Sequence, residues 1–307
     1  MRDTFVRTLI SIAKADSNVI LITGDLGFGV LKPYWEALPG QFINAGIAEQ
    51  NMVGVAAGMA LEGKIVFVYS IGNFPTMRCL EQIRNDCAYH QANVKIVCVG
   101  GGFVYGPLGM SHHATEDLAI LRALPDVCVL APGDRAEAEA STRAVYHQPG
   151  TCYLRLGRGG EPLIHRQLPG FTVGRAINVR KGKKVVLVST GGILSEAVEA
   201  CKKLEEHGMT PALISMPSVK PFDEAAAMEC AREYELIVTV EEHNIIGGLG
   251  SAVAEAISQV KGAHADLLRI GLHDVYSSVV GSQSFLRGYY GMDAKAIADK
   301  TLAWLNG

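Results

Sequence analysis

VKIVCVGGG, residues 94–102, decides the fold: five of its first six side chains are apolar, and three glycines follow. A strand with one wet face alternates polar and apolar residues. A short run that is apolar on both faces instead reads as a strand buried in a parallel sheet. VCVLA at 127–131 has the same character. Together with Val94–Val99 and Val127–Ala131, strand-length runs fall at Val19–Thr23, Phe42–Asn44, Ile65–Tyr69 and Cys152–Leu156. Helical spacing between them is found at Thr4–Ala15, Glu49–Leu61, Met77–His90, Thr115–Ala123 and Arg135–His147. Alternation of this kind predicts a parallel sheet covered by helices on both faces.

The alternation stops at Gly157–Arg180, which is rich in Gly, Pro and charge, and then resumes. Strands are expected at Lys184–Thr190, Ala212–Met216, Leu236–Val240 and Leu267–Ile270. Helices are expected at Leu194–His207, with Gly208 as its C-cap, at Ser251–Val260 and at Asp293–Leu305. The reading is α/β with two domains, residues 1–165 and 183–307, joined by a linker at 166–182. Each domain is a mostly parallel sheet sandwiched by helices. The length of 307 residues agrees, at about 150 residues per domain.

Composition narrows the class. The chain is 49% apolar and 19% charged with a formal charge of -3, which excludes a disordered polyelectrolyte. No basic excess or Lys/Arg run offers phosphates a footing, so no nucleic-acid partner is expected. Seven scattered cysteines without a CxxC pair predict reduced core thiols and neither a disulfide framework nor a zinc site. The first 18 residues lack the unbroken apolar core of a signal peptide or membrane helix, so a cytoplasmic, membrane-free protein is expected. The large core and weak charge also suit a surface buried against another subunit.

Glycines gather where predicted strands end: GDLGFG at Gly24–Gly29, GGG at Gly100–Gly102, and GGLG at Gly247–Gly250 ahead of a helix. Strand ends of open α/β sheets carry ligands, and a helix N-terminus receives anions. None of the clusters completes a dinucleotide or P-loop motif, and tight turns explain them equally. In NAGIAEQNMVGVAAGMAL (Asn44–Leu61), Glu49 enters the first helical turn, and Gly54, Ala57 and Gly58 read as one small-residue face fit for a subunit contact. Glu49 either answers the helix dipole, worth about 0.3–1 kcal/mol, or lies at an apolar interface, where a raised pKa suits proton exchange. GPLGMSHHATED (Gly106–Asp117) sets His112 and His113 in a glycine-rich loop, where a histidine handles protons or ties down backbone. No third ligand stands at metal spacing. LRLGRGG (Leu154–Gly160) presents Arg155 and Arg158, each a phosphate fork or a solvated surface cation.

These stretches, with LISMPSVKPFD and VTVEEHNIIGGLGSAVAE from the second half, resemble the C-terminal two-thirds of transketolase over nearly the whole chain. The last two favour transketolase over the β subunits of 2-oxo-acid dehydrogenases. The resemblance implies a pyrimidine-binding domain followed by a transketolase C-terminal domain, and thiamine diphosphate with Mg²⁺ held between subunits. Glu49 matches the family's glutamate that hydrogen-bonds the cofactor's aminopyrimidine ring and promotes its activation. Asp25 matches the Asp of a "DL" motif near the cofactor, and Phe74 the aromatic that packs on the pyrimidine. His112 matches a substrate-contacting histidine, and Arg158 an arginine that binds a sugar phosphate.

Leu108 stands where transketolases carry an Asp for a donor hydroxyl, and Gly100 where a further substrate histidine lies, which puts an ordinary pentose phosphate in doubt. The GDG…N diphosphate motif is missing, since Gly24, Asp25 and Asn51 imitate it only by chance and its third glycine is Leu26. The resemblance thus implies a second, larger subunit that carries the diphosphate-binding domain and most of the Mg²⁺ contacts, in an α₂β₂ assembly. The pair would transfer a two-carbon ketol unit from a ketose or its phosphate to an aldose. The alternatives are the β subunit of a decarboxylating 2-oxo-acid enzyme, or a pairing module without catalysis.

Overall fold

The computed structural model describes residues 1–166 and 170–307; positions 167–169 of the expected linker lie outside the described residues. In chain order the first half runs α1 (Arg2–Ala15), β1 (Val19–Thr23), α2 (Phe28–Ala37), β2 (Phe42–Asn44), α3 (Glu49–Leu61), β3 (Ile65–Ile71), α4 (Leu80–Gln82), β4 (Val94–Val99), α5 (Asp117–Ala123), β5 (Cys128–Leu130), α6 (Arg135–His147) and β6 (Cys152–Leu156). The second half runs β7 (Ile177–Arg180), β8 (Val185–Thr190), α7 (Leu194–Glu206), β9 (Ala212–Ser215), β10 (Ser218–Lys220), α8 (Glu224–Glu233), β11 (Leu236–Asn244), α9 (Leu249–Ile257), β12 (Asp266–Leu272), α10 (Gln283–Tyr289) and α11 (Ala294–Asn306).

Two α/β sheets result. The first has seven strands in the order β10-β5-β6-β4-β3-β1-β2, and the second five in the order β12-β11-β8-β9-β7. All pairings are parallel except at the edges, where β10 and β7 run antiparallel to their neighbours. The decisive stretch is β4, with all six side chains buried in the middle of the larger sheet. Its lysine is inside too: Lys95 Nζ donates to the carbonyls of Gln148 and Gly150 at 2.5 and 2.6 Å, and burial pushes its pKa down. Apolar clusters fill both faces of each sheet, as parallel strands require.

Several elements were not legible. Helix α2 contains Pro33, which argues against a helix, yet it holds for ten residues after Gly27 turns with φ +79°. The helix expected over Met77–His90 breaks into a 3-10 turn, the short α4 and a π turn at Ile83–Ala88. Gly208 does cap α7, with φ +76°.

The two sheets share parts. Strand β10, from the second half of the chain, pairs with β5 of the first sheet. Phe103, from the loop after β4, is packed in the second core and stacks on Tyr290 with ring centroids 5.5 Å apart. A buried polar seam fastens the contact. Arg155 on β6 donates to Asp117 through Nε (2.8 Å) and to the Glu242 carbonyl on β11 through Nη2 (3.0 Å). Tyr153 donates to the same Asp117 at 2.5 Å. His243 receives the Ala119 amide on Nε2 at 3.3 Å and meets the Asn244 carbonyl with Nδ1 at 2.6 Å. That partnership fits a neutral ring, and burial accordingly lowers its pKa.

Candidate active site

The first sheet's loops at the C-terminal ends of β1, β2, β3 and β4 bring together Glu49, Phe74, Arg78 and His112. Glu49 opens α3 and is only 4% exposed. It packs over Gly24, where an added Cβ would stand 3.3 Å from the Gly46 carbonyl and 3.6 Å from Glu49 Cγ. Beside the two readings of this carboxylate, the helix dipole and an apolar interface, the structure adds a cation: Arg78 Nη1 lies 2.9 Å from Oε2. The same guanidinium covers Phe74, with Cζ 4.5 Å from the ring centroid. Glu49 Oε1 accepts no hydrogen bond from a described side chain or amide.

Phe74 meets the edge of His112, with ring centroids 5.2 Å apart at 66°. Ser111 Oγ lies 3.1 Å from His112 Nδ1, and Asn73 Nδ2 donates to the His113 carbonyl, so the β3 and β4 loops are tied together. The two adjacent histidines part company. His112 is half-buried beside Phe74, whereas His113 is buried, sets Nε2 3.2 Å from the Gly106 carbonyl and meets Phe103 edge-on. Burial pushes the His113 pKa down.

Asp25 is exposed with φ +55°; its amide donates to Asn44 Oδ1 at 2.9 Å, and Asn44 Nδ2 donates back to its carboxylate at 3.0 Å. Asn51, exposed on α3, has no part in this, so the imitation of a diphosphate motif has no counterpart in space. Arg158 stands apart from the Glu49 group, exposed, with Cζ 5.7 Å from the Tyr105 ring centroid. Tyr105 also explains Gly100: a Cβ there would come within 2.4 Å of that ring, so no larger side chain fits. Leu108 is 55% exposed on the same loop. On α3 the small-residue face is Gly54 and Gly58, where an added Cβ would meet nothing within 4 Å; Ala57 is buried and does not belong to it.

Sequence reading missed Arg78, Asn73 and Asn44. Arg78 stands four residues after Phe74, but its meeting with Glu49 depends on how α3 and the β3 loop pack, which no spacing encodes. Among the described residues one group has the chemistry of a metal site: Asp134, Glu137 and His165. Their carboxylate oxygens already receive hydrogen bonds from the Glu137, Ile164, His165 and Gly133 amides and the His165 ring. The cluster thus pins the segment after β6 to the N-terminus of α6.

Residues 1–161 match the family "Transketolase, pyrimidine binding domain", and residues 174–297 match "Transketolase, C-terminal domain". The chain is similar to a putative transketolase C-terminal section of Methanocaldococcus jannaschii, 37% identical across 98% of this chain and 95% of that one. It is 34% identical to one of the subunits of an apulose-4-phosphate transketolase of Phocaeicola vulgatus, across 99% and 97% of the two chains. Among solved structures it resembles a split-gene transketolase described as an inactive β4 tetramer, with a TM-score of 0.87, 35% identity, and 97% and 95% of the chains covered. With both of these domains, and with relatives that are themselves separate C-terminal sections and single subunits, the chain belongs to the transketolase family, in its split form.

Proposed function

We propose that this chain is the smaller subunit of a two-chain, thiamine diphosphate-dependent transketolase that moves a two-carbon ketol unit from a ketose or its phosphate to an aldose. The observation that carries the reading is Glu49: buried, fixed through one carboxylate oxygen by Arg78, whose guanidinium also covers Phe74, and left with the other oxygen without a hydrogen bond among the described residues. A heterocycle bearing a ring nitrogen suits that pair, since Oε1 can share a proton with the nitrogen while the phenyl ring packs on the flat face. Thiamine diphosphate, when bound, supplies the nucleophilic carbon and the electron sink.

The chain's own residues orient and protonate. Glu49 Oε1 holds the proton shared with the cofactor ring, and Asp25 borders the same loop cluster. His112, half-buried and edge-on to Phe74, offers Nε2 to a substrate oxygen as hydrogen-bond partner or proton carrier. Arg158, exposed on a glycine-rich loop, is the anchor for a sugar phosphate. Diphosphate and Mg²⁺ fall to a larger subunit with the GDG…N motif, in an α₂β₂ assembly. The inactive β4 relative supports this dependence on a second chain. Seven free, buried cysteines support a reducing, cytoplasmic setting, and no helix among the described residues is long and apolar enough to cross a membrane.

The test is reconstitution with a larger subunit carrying GDG…N. Ketol transfer is expected from the pair and not from either chain alone, and Glu49→Ala should lower kcat by roughly 10²–10⁴-fold. Normal turnover by that variant overturns the role of Glu49, and activity of the lone chain overturns the split site. CO₂ release from a 2-oxo acid without ketol transfer would assign the pair to the decarboxylating enzymes. A two-chain complex that fails to bind thiamine diphosphate would leave a pairing module.

A further inference from the structure

Three buried side chains stand in one row across the first sheet. Lys95 on β4 is directly opposite Cys152 on β6, and Cys152 is directly opposite Cys128 on β5. Residues directly opposed in parallel strands project from the same face, so the ammonium and both sulfurs share it. Lys95 Nζ lies 3.4 Å from Cys152 Sγ. The row crosses the N-terminal end of the sheet, since Cys128 and Cys152 open their strands and Lys95 is second in its own. The Glu49 cluster lies at the opposite, C-terminal end, and the ketol-transfer reading uses none of the three.

A lysine with no exposed surface needs a physical reason. The Gln148 and Gly150 carbonyls accept two of its N–H groups but bring no charge, and no carboxylate pairs with it among the described residues. A buried ammonium is costly without a counter-charge, and a Cys152 thiolate is the group in reach that supplies one. Hydrogen bonding with Cys128 and attraction to Lys95 lower the Cys152 thiol against the opposing effect of burial, whereas the same bond, with burial, raises Cys128. One sulfur is therefore the nucleophile, and its neighbour keeps a proton. The remaining cysteines are inert by comparison, because burial pushes the thiols of Cys79, Cys87, Cys98, Cys201 and Cys230 up to about 12.

Geometry and access agree with that difference. Neighbouring strands run about 4.8 Å apart, inside the ~4.4–6.8 Å Cα separation that a disulfide takes. Cys128 is 7% exposed and, with Gln148 and Gly150, lines a cleft of about 910 Å³, while Cys152 lies one strand further in. We propose that Cys128 and Cys152, flanked by Lys95, form a redox-active dithiol that a small hydroperoxide, hydrogen peroxide in the simplest case, oxidises reversibly to a disulfide. The Cys152 thiolate attacks one peroxide oxygen; the S–O bond forms as the O–O bond breaks, and the departing hydroxide takes a proton from Lys95 and leaves as water. The Cys128 sulfur then attacks the sulfenic acid at Cys152. The S–S bond forms, the S–O bond breaks, and the released hydroxide leaves as water with the Cys128 proton. The two sulfurs together lose the electron pair that the peroxide gains. Lys95 loses its counter-charge and its extra proton together, and as an amine it keeps an N–H for each of its carbonyls.

The test is peptide mapping of the folded full chain after exposure to hydrogen peroxide, with free thiols alkylated and no reductant present. A Cys128–Cys152 cross-link is expected, formed at least about tenfold faster than any oxidation at the remaining cysteines of the same sample and reversed by dithiothreitol. Cys128→Ser should halt the reaction at the sulfenic acid, so that dimedone labels Cys152, whereas Cys152→Ser should leave Cys128 unlabelled. Lys95→Met should slow the cross-link by at least about tenfold at neutral pH. Oxidation of the pair no faster than that of the other cysteines, or a cross-link to a different cysteine, overturns the proposal. Dimedone labelling of Cys128 in Cys152→Ser as fast as that of Cys152 in Cys128→Ser overturns the assignment of nucleophile. The wild-type map requires no variant, cofactor or turnover, so it stands or falls independently of the ketol-transfer reading.

Discussion

Replacing Asp117 by Asn tests the polar seam between the sheets, because it removes the charge while keeping the shape. Asp117 is fully buried and accepts from Tyr153 Oη at 2.5 Å and from Arg155 Nε and Nη2 at 2.8 and 3.2 Å. Three hydrogen bonds to a charged group, at about 1.5–3 kcal/mol each, would sum to more than any single deletion delivers. The bonds share one carboxylate, and the amide retains one acceptor oxygen. The governing quantity is therefore the uncompensated Arg155 charge, for which breaking a buried pair costs about 3–5 kcal/mol. At roughly 2–4 °C per kcal/mol for a chain of this size class, the melting temperature should fall by about 6–20 °C. Calorimetry of the purified chain measures it, with Glu139→Gln as control. Glu139 and Arg143 form an exposed i,i+4 pair at 3.0 Å, worth about 0.3–0.5 kcal/mol. A loss in Asp117→Asn no larger than in the control would refute the claim that this seam holds the sheets together.

Three further outcomes follow from the same physics. Burial pushes the Glu241 carboxyl up to about 7, against the amides of Leu249 and Gly250, which favour its charged form. The fold thus prefers the protonated acid, and this stabilisation, about 3 kcal/mol, is complete below pH 4.5 and lost as pH rises through 7. Relative to Glu241→Gln, the wild type should lose that stability across the window in chemical denaturation; a constant difference refutes it. Gly24→Ala pushes a methyl toward Glu49 Cγ, 3.6 Å from the new carbon, so kcat of the reconstituted pair should drop while the melting temperature moves by a few degrees only. Gly54→Ala and Gly58→Ala should each raise the stability of the lone chain by up to about 1 kcal/mol, since each Cβ enters open space. Gly54→Leu should fold equally well yet fail to co-purify with the larger subunit, and undiminished assembly would exclude this face as the contact.

Much of the fold was legible because buried parallel strands write themselves in apolar runs: β1, β2, β4 and β6 begin and end where the sequence places them. The missed elements carried contrary or weak local signals. Pro33 hid α2, and β10 is a three-residue edge strand whose partner β5 lies nearly 90 residues earlier. The site divides in the same way. Glu49 and His112 announced themselves by motif; the structure links them by a chain in which Arg78 pairs with Glu49 and covers Phe74, and Phe74 meets His112 edge-on. Arg78 did not, because a cation 29 positions from Glu49 becomes its partner only through tertiary packing. The choice between His112 and His113 rested on resemblance; the structure separates the two by burial, His112 half-buried and His113 buried with Nε2 on the Gly106 carbonyl.

Helix α3 links the chemistry to the assembly. Its first residue is Glu49, and its outward surface carries Gly54, Val55, Gly58 and Leu61, with Ile47 just before it 79% exposed. Apolar side chains around two glycines that meet nothing form a surface another helix can approach closely, and covering Ile47 and Leu61 alone would contribute about 1.5–3 kcal/mol each. The same helix holds the buried Glu49, whose Oε2 pairs with Arg78 and whose Oε1 accepts no hydrogen bond among the described residues. A chain docking along α3 would bury the apolar face and close the little exposure, 4%, that Glu49 retains. Proton transfer at that oxygen gains from such exclusion, because electrostatic interactions strengthen as water leaves. On the proposed role of Glu49, a variant that weakens docking along α3 should lose kcat in proportion to the complex lost, with the turnover of each remaining complex unchanged.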